Sequence, residues 1–256
     1  MITAGIDCGA KNTKTVILDG RKILAKAMVP TGFEQEKAVE ESFGKAIAAA
    51  RIRKDQVKHI GSTGSGAKSV KSADVLVNDI KAIAAAAKFF FPSSRTAADV
   101  GAEAGRAVKV NEQGSAEDFA VNEKCAAGAG AFIEAMARAL EIDLKEMGAL
   151  ALTSDKSIPM NAQCAIFAET EVVGLIHANT EKKDISRAIH DAMASRIVSN
   201  IRRVGVNPDV VMMGGVAHNI GFVASMNREL GLELFIPPDP EFGAAVGAAV
   251  VAAQEG

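Results

Sequence analysis

The sequence contains no tryptophan and no tyrosine, and its eleven phenylalanines lie mostly in apolar runs. It therefore offers no aromatic platform on which nucleic-acid bases or sugars could stack. An excess of basic residues is also missing, because 29 lysines and arginines are balanced by 31 acidic residues. Without a positive field to attract a phosphate backbone, nucleic acid is not an expected partner.

Long apolar runs and a secretory leader are absent as well. No stretch of about eighteen uninterrupted apolar residues is present, as a membrane-spanning helix would require. The first residues, Met1 to Asp7, lack the basic start, apolar core and small-residue cleavage site of a signal peptide. We expect a cytoplasmic protein with no membrane partner.

Cysteine is scarce, with only Cys8, Cys125 and Cys164 in 256 residues. Three widely spaced cysteines do not form a disulfide framework, and none has the C-x-x-C spacing of a zinc site. Cys8 lies within a predicted strand and is interpreted as a small core residue. The role of the other two depends on the segments around them.

The pattern of strands and helices predicts an α/β protein with two lobes. Strands at 3–8, 13–19 and 22–29, joined by two Gly-containing turns, predict an antiparallel meander. A βαβ order follows, and the segment 112–116 (Glu-Gln-Gly-Ser-Ala) is the best boundary candidate. We predict a first lobe formed by residues 1–115 with the C-terminal helix 241–256, and a second lobe formed by residues 116–240.

The remaining elements complete this order. The predicted helices are 36–52, 78–89, 130–141, 143–151, 164–176, 183–203 and 241–254. The predicted later strands are 57–61, 96–100, 118–121, 210–213 and 232–236, with a further helix after the Gly turn at 214–215.

A first candidate phosphate site lies in the first predicted hairpin. Asp7-Cys8-Gly9 ends one strand, and Asn12, Thr13 and Lys14 begin the next. Backbone N–H groups, a hydroxyl and an ammonium at one turn can hold phosphate oxygens, while Asp7 binds Mg²⁺. A single Asp-x-Gly turn is more often an ordinary hairpin, so this pattern is weak when taken alone.

Two further Gly turns strengthen the interpretation. Asp99, Gly101 and Glu103 follow one apolar strand, and Gly214, Gly215 and Asn219 follow another. Together with the first hairpin they resemble the phosphate-1, phosphate-2 and adenosine motifs of the superfamily of actin, chaperone ATPases and sugar kinases. The resemblance implies two ribonuclease-H-like lobes around an ATP cleft, with Asp7, Asp99 and Glu103 as catalytic residues. It also implies that the other residues bind the nucleotide, namely Gly9, Asn12, Thr13, Lys14, Gly101, Gly214, Gly215 and Asn219.

Two of the cysteines stand at or near the start of predicted helices. A helix N-terminus favours the thiolate, which is the form that binds metal. From composition alone, two buried structural cysteines would be the simpler interpretation. The segments around them, Lys-Cys-Ala-Ala-Gly-x-Gly at 124–130 and Cys-x-x-Phe-Ala-Glu-x-Glu at 164–171, carry more information.

These segments resemble one branch of the superfamily, the activator ATPases of 2-hydroxyacyl-CoA dehydratases and the ATPase subunits of benzoyl-CoA reductases. The resemblance implies ATP with Mg²⁺, and a [4Fe–4S] cluster that two subunits share, with Cys125 and Cys164 as this chain's ligands. It implies as partners a second ATPase subunit, identical or related, the acyl-CoA reductase or dehydratase subunits, and a ferredoxin or flavodoxin donor. The free energy of ATP hydrolysis would drive an electron to a low potential.

Departures from the usual motifs bear on the place of the chain within this branch. Gly9-Ala10-Lys11 stands where a Gly-Ser-Thr turn is usual, and Gly101-Ala102-Glu103 where Gly-Gly-Gln is usual. The run at 99–106 and the short length resemble the smaller benzoyl-CoA reductase ATPase subunit, which is the main interpretation. The alternatives are a dehydratase activator, a small-molecule kinase of the same fold, and a partner subunit that does not hydrolyse ATP.

The four histidines, at positions 59, 177, 190 and 218, form no metal-binding pattern. Only His218, in the adenosine turn, is a candidate for a nucleotide contact.

Overall fold

Two mixed β-sheets form the framework of the protein in a computed structural model that describes residues 1–122, 129–161 and 164–256. The first sheet has the order β3-β2-β1-β4-β5. Its strands are β1 (Ile2–Cys8), β2 (Asn12–Asp19), β3 (Lys22–Pro30), β4 (His59–Thr63) and β5 (Val75–Leu76). Strands β1 to β3 form the predicted antiparallel meander, whereas β4 runs parallel to β1.

The second sheet repeats this arrangement with four strands in the order β8-β7-β6-β9. They are β6 (Thr96–Val100), β7 (Gly105–Val110), β8 (Ala116–Asn122) and β9 (Val210–Met213). Three strands again form an antiparallel meander, and β9 lies parallel to β6. The predicted strand at 232–236 is reduced to a single bridge between Val211 and Phe235.

The sheets divide earlier in the chain than the boundary predicted at 112–116. Strands β6 and β7, which the sequence assigned to the first lobe, pair with β8 and β9 in the second sheet. The segment 112–116 is the tight turn of the β7–β8 hairpin, where Gly114 adopts a positive φ of 84°. A Gly-containing hairpin turn has the same polar composition as a linker, so composition alone did not distinguish the two.

Eight helices cover the sheets in the described ranges, and their bounds agree with the predicted ones to within a few residues. They are α1 (Gln35–Ala50), α2 (Asp79–Phe90), α3 (Ala129–Ala139), α4 (Leu144–Leu152), α5 (Ala165–His177), α6 (Lys182–Val204), α7 (Ile220–Leu230) and α8 (Gly243–Glu255). None of them is long and apolar enough to cross a membrane.

Helices α8 and α2 pack against each other between the two sheets. The small residues of α8 permit this, because a Cβ at Gly247 would lie 1.8 Å from the carbonyl oxygen of Ala82 in α2. On the other side of α8, a Cβ at Gly5 of β1 would lie 1.9 Å from the carbonyl oxygen of Ala245. Backbones at this separation leave no room for a methyl group, which explains the Gly- and Ala-rich sequence of the C-terminal helix.

The outer face of each sheet is covered by its own helices. Helix α1 packs on the first sheet with Val39 and Phe43, and the long helix α6 packs on the second with Ile189 and Ile197 among its buried residues. We call the first sheet with α1 and α8 the first lobe, and the second sheet with α2 to α7 the second lobe. The carboxyl ends of the parallel strands of both sheets meet in the space between the lobes.

Candidate functional site

A cleft of about 1020 Å³ separates the two lobes at the ends of β1, β4, β6 and β9. This volume is sufficient for a nucleotide-sized ligand. Ten of the residues that the sequence singled out line it: Asp7, Gly9, Asn12, Lys14, Asp99, Gly101, Glu103, Gly214, Gly215 and Asn219. Residues far apart in the sequence are thus brought to one site.

The first wall of the cleft is the β1–β2 hairpin. Asp7 and Lys14 are directly opposite each other in the ladder, and the Nζ atom of Lys14 donates to the Oδ2 atom of Asp7 at 2.8 Å. Burial alone would lower the pKa of Lys14, but the charges of Asp7, Asp99 and Glu241 outweigh it and raise this pKa overall. Lys14 therefore stays cationic in the cleft, where it can pair with an anionic ligand.

A glycine beside Asp7 is required by space and by backbone conformation. Gly64, directly after β4, has a φ of +89°, and a Cβ there would lie 2.4 Å from the Oδ1 atom of Asp7. It would also lie 2.7 Å from the carbonyl oxygen of Cys8. The end of β4 thus leaves the carboxylate accessible from the cleft.

One residue of the predicted hairpin site does not line the cleft. Thr13 is fully buried, and its hydroxyl lies 2.9 Å from the hydroxyl of Thr31 and 3.7 Å from the sulfur of Cys8. Successive side chains of a strand point to opposite faces, so Thr13 lies behind Lys14. Its side chain supports the hairpin from within, and its hydroxyl does not line the cleft where the sequence placed it as a nucleotide contact. Cys8 is fully buried too, as predicted.

The opposite wall carries a chain of three charged side chains. Arg106 of β7 donates to Asp79 at the start of α2 at 2.7 Å, and its other nitrogen lies 3.6 Å from Asp99. Asp79 also accepts hydrogen bonds from the hydroxyl of Thr63 and the backbone N–H of Gly64, both at 3.0 Å. Asp79 and Arg106 therefore connect the end of the first sheet with the second.

Asp99 is the most perturbed acid of this wall. Its pKa is raised from the ordinary 3.8 to about 6, mainly because the side chain is buried; the charge of Arg106 opposes the rise, and the nearby charge of Asp7 adds to it. Its side chain is 15% exposed, so water and a ligand in the cleft can still reach it. A buried carboxylate with a pKa near neutrality can bind a metal ion or accept a proton from water.

The phosphate-2 turn lies against the beginning of α3. The backbone N–H of Gly130 donates to the carbonyl oxygen of Gly101, and that of Ala131 donates to the carbonyl oxygen of Ala102, both at 3.1 Å. A Cβ at Gly130 would lie 3.0 Å from the Cα atom of Ala102, so the contact is close. A shift of this turn would therefore be transmitted directly to α3.

The adenosine turn is held by its backbone. Gly214 has a φ of +92°, and a Cβ there would lie 2.3 Å from the carbonyl oxygen of Val100. Asn219 caps α7 through its side-chain oxygen, which accepts from the N–H of Phe222 at 3.1 Å. His218, the candidate for a nucleotide contact, also lines the cleft and pairs with Glu241 at 2.6 Å.

Sequence reasoning missed several residues that line the cleft, namely Lys11, Gly64, Asp79, Arg106, Glu134, Lys145 and Glu241. Arg106 stood inside the quoted run at 99–106, which was the one signal that could have identified it. Asp79 is the first residue of α2, and Glu241 follows a proline. No local sequence pattern distinguishes these two acids from other surface acids.

Cys164 is the N-cap residue of α5 and is half-buried, and its side chain makes no capping hydrogen bond. Its neighbours Ile166 and Phe167 are exposed by 72% and 66%. Cys125, the second predicted ligand, lies outside the described residues. Within residues 1–122, 129–161 and 164–256, no group of three or more His, Cys, Asp or Glu side chains is arranged to hold a metal ion.

Comparison with known proteins gives a consistent result along the whole chain. Residues 4–252 match the model of the BadF/BadG/BcrA/BcrD ATPase family. The 2-hydroxyisocaproyl-CoA dehydratase activator of Clostridioides difficile is 34% identical over 259 residues, which span 100% of this chain and 96% of that protein. A benzoyl-CoA reductase component of Thauera aromatica is 30% identical over 97% of this chain and 92% of that protein.

Solved structures agree with the fold. Component A of the (R)-2-hydroxyglutaryl-CoA dehydratase of Acidaminococcus fermentans superposes with a TM-score of 0.94 at 32% identity, over 100% of this chain and 98% of that chain. The activator of the 2-hydroxyisocaproyl-CoA dehydratase from Clostridium difficile with bound ADPNP gives 0.91 at 32% identity, over 100% and 95%. A ROK family glucokinase from Streptomyces griseus, at 13% identity and a TM-score of 0.64 over 99% and 100%, shares the fold alone. The predicted two-lobed fold of the actin and sugar-kinase superfamily is confirmed.

These relatives favour the dehydratase-activator alternative over the main interpretation of the sequence. Dehydratase activators are 34% identical to this chain and the benzoyl-CoA reductase component is 30% identical, so the alternative is better supported. The run at 99–106 and the chain length were weak criteria. The run covers a single turn, and the length says nothing about the residues along the rest of the chain.

Proposed function

The chain belongs to the BadF/BadG/BcrA/BcrD ATPase family, and from that premise we propose that it is the ATP-hydrolysing activator of a 2-hydroxyacyl-CoA dehydratase. Its task would be to deliver an electron at low potential to the dehydratase. The observation that carries the proposal is the cleft in which the Asp7–Lys14 pair faces Asp99 across the two lobes.

In this proposal the cleft binds ATP with Mg²⁺. Asp7 and Asp99 would hold the metal ion and orient the attacking water, because hard oxygen ligands suit Mg²⁺. Lys14 would pair with phosphate oxygens, and Gly9, Gly101, Gly214 and Gly215 would let the backbone approach the nucleotide. With a pKa of about 6, Asp99 is largely ionised at neutral pH and can accept a proton from water. Glu103, exposed at the same turn, is a further candidate for positioning the water.

The residues around Cys164 fit one half of a shared [4Fe–4S] site. A half-buried thiol at a helix N-terminus, with no competing hydrogen bond as a cap, is suited to be a thiolate ligand. Such a cluster takes four thiolates, so Cys125 and Cys164 of each of two chains would be needed. When bound, the cluster supplies a one-electron carrier.

The helices provide a physical link between the two sites. Helix α3 touches the phosphate-2 turn through Gly130 and begins directly after the segment that contains Cys125. Helix α5, whose N-cap residue is Cys164, packs against α3. We propose that movement of the phosphate-2 turn during hydrolysis shifts both helices and so changes the surroundings of the two cysteines.

The proposed partners follow from the same surfaces. Helix α5 carries four exposed apolar side chains: Ile166 and Phe167 next to Cys164, and Val173 and Ile176 further along the helix. A second copy or a related chain would cover them. The dehydratase components, and a ferredoxin or flavodoxin as donor, complete the proposed set of partners.

An anaerobic reconstitution tests the proposal. The protein is incubated with iron and sulfide, and iron content and the visible spectrum are measured, followed by phosphate release with MgATP. We expect a brown protein with about four irons per dimer, which air bleaches. A colourless protein that transfers phosphate from ATP to a small acid or sugar would instead identify a kinase.

A further inference from the structure

A charged pair bridges the two lobes at the cleft. Lys11 lies in the turn between β1 and β2, Glu134 lies on α3, and their side chains form an ion pair. Both residues line the cleft. The hairpin of the first lobe is thereby connected to the helix that contacts the phosphate-2 turn.

Lys11 is placed differently from the other lysine of the hairpin. Lys14 is 15% exposed and paired with Asp7 of its own lobe, whereas the side chain of Lys11 is 55% exposed and reaches across the cleft. An ion pair with this exposure contributes little to stability, because water and salt screen it. A polyphosphate carries more charge than one carboxylate and would compete effectively for the same ammonium.

We propose that Lys11 is a phosphate-binding residue that Glu134 holds while the cleft is empty, and that nucleotide phosphate exchanges with Glu134 when it enters. This inference rests on the proposed function, since it requires a nucleotide in the cleft. Lys11 stands in the turn where Ala10 and Lys11 replace two hydroxyl residues, so its ammonium restores a phosphate contact there. When the nucleotide binds, the exchange frees Glu134 from Lys11, so that α3 loses its ion pair with the hairpin of the first lobe.

Calorimetric titration with MgADPNP tests the exchange through a double-mutant cycle. Lys11→Met should weaken binding about tenfold, the size expected for a charge-assisted hydrogen bond to phosphate. Glu134→Gln should tighten binding about threefold, because the competing carboxylate is gone. In the double variant the effect of Glu134→Gln should disappear, since the lysine it competes for is no longer there.

The cycle separates this exchange from simple repulsion. If Glu134 only repelled the phosphates, Glu134→Gln would tighten binding equally with and without Lys11, and the proposal would be wrong. An affinity of Lys11→Met equal to that of the unaltered protein would overturn it as well, while leaving the proposed function intact. Failure of the unaltered protein to bind MgADPNP would overturn both.

A matched control is available on the first lobe. Lys45 and Glu41 of α1 form a pair with 57% and 52% exposure, and neither residue lines the cleft. Lys45→Met and Glu41→Gln should leave the affinity for MgADPNP unchanged. Thermal unfolding of all variants, followed by circular dichroism, verifies that each one is folded before titration.

Discussion

Replacing Asp99 by asparagine should make the protein more stable at neutral pH while removing its hydrolytic activity. The carboxylate is ionised at neutral pH at a cost, because burial raises its pKa from 3.8 to about 6. Folding therefore favours the protonated form of this group, and an amide of the same shape avoids the cost. Stability and activity are expected to change in opposite directions, as they do where a function requires an unfavourable group.

The magnitude follows from the two pKa values. The difference between 3.8 and about 6, at about 1.4 kcal/mol for each pH unit, gives an upper limit of about 3 kcal/mol. The substitution also removes the ion pair between Asp99 and Arg106, but at 3.6 Å this pair is weak. Arg106 keeps its stronger ion pair with Asp79 at 2.7 Å. We expect a gain of about 2 kcal/mol in the free energy of unfolding at pH 7.5.

The pH dependence has a definite sign. Between about pH 4 and pH 6, Asp99 is largely ionised in the unfolded chain but still largely protonated in the native protein. The free energy of unfolding of the unaltered protein therefore falls as pH rises through this window. The stabilisation by Asp99→Asn should thus be absent near pH 4, grow through this window and stay constant above it. Urea unfolding followed by circular dichroism measures it, since the protein has no tryptophan or tyrosine to serve as a fluorescent probe.

A control and a contradictory result are both available. Asp79→Asn should destabilise the protein, because Asp79 pairs with Arg106 and accepts hydrogen bonds from Thr63 and Gly64. A loss of stability in Asp99→Asn at pH 7.5, or a gain that does not vary between pH 4 and 7, would refute the assignment of a raised pKa to this side chain.

Three further changes, two of them paired with a control variant, test other parts of the site. Asp7→Asn should lower the rate of phosphate release by the assembled complex roughly hundredfold, and an intact rate would mean the cleft is misassigned. Gly64→Ala should destabilise the protein by about 1–3 kcal/mol and lower its melting temperature, because the new Cβ would lie 2.4 Å from the Oδ1 atom of Asp7. In the control Gly44→Ala the new Cβ meets open space, so this change should stabilise α1 slightly. Cys164→Ala should abolish iron binding without weakening MgADPNP binding, and Cys8→Ser should leave the iron content unchanged; equal loss of nucleotide in Cys164→Ala would indicate a structural cysteine.

The sequence predicted the parts of the site that depend on local chain geometry. Asp7 and Lys14 flank a short Gly turn, so a hairpin necessarily puts them opposite each other. Asp99 lies near the end of the apolar strand β6 and Gly214 follows β9, and the ends of such parallel strands meet at one edge of a sheet. These patterns need only a few neighbouring residues.

The parts that the sequence did not predict depend on tertiary packing. The link from Asp79 through Arg106 to Asp99 joins three elements that no spacing connects. The partnership of Lys11 with Glu134 depends on how the two lobes are arranged. The burial of Thr13 follows from the alternation of side chains along a strand, which can be read from the sequence. The resemblance of the turn to a phosphate motif was given more weight than this alternation.

Reductive activation of a 2-hydroxyacyl-CoA dehydratase tests the central claim most directly. The protein, reconstituted with iron and sulfide, is mixed anaerobically with the dehydratase and a reductant, and the dehydration of the 2-hydroxyacyl-CoA is followed with and without MgATP. Activation should require both the reductant and MgATP, and Asp7→Asn and Cys164→Ala should each abolish it. Activation that proceeds equally well without MgATP, or that survives in both variants, would contradict the account.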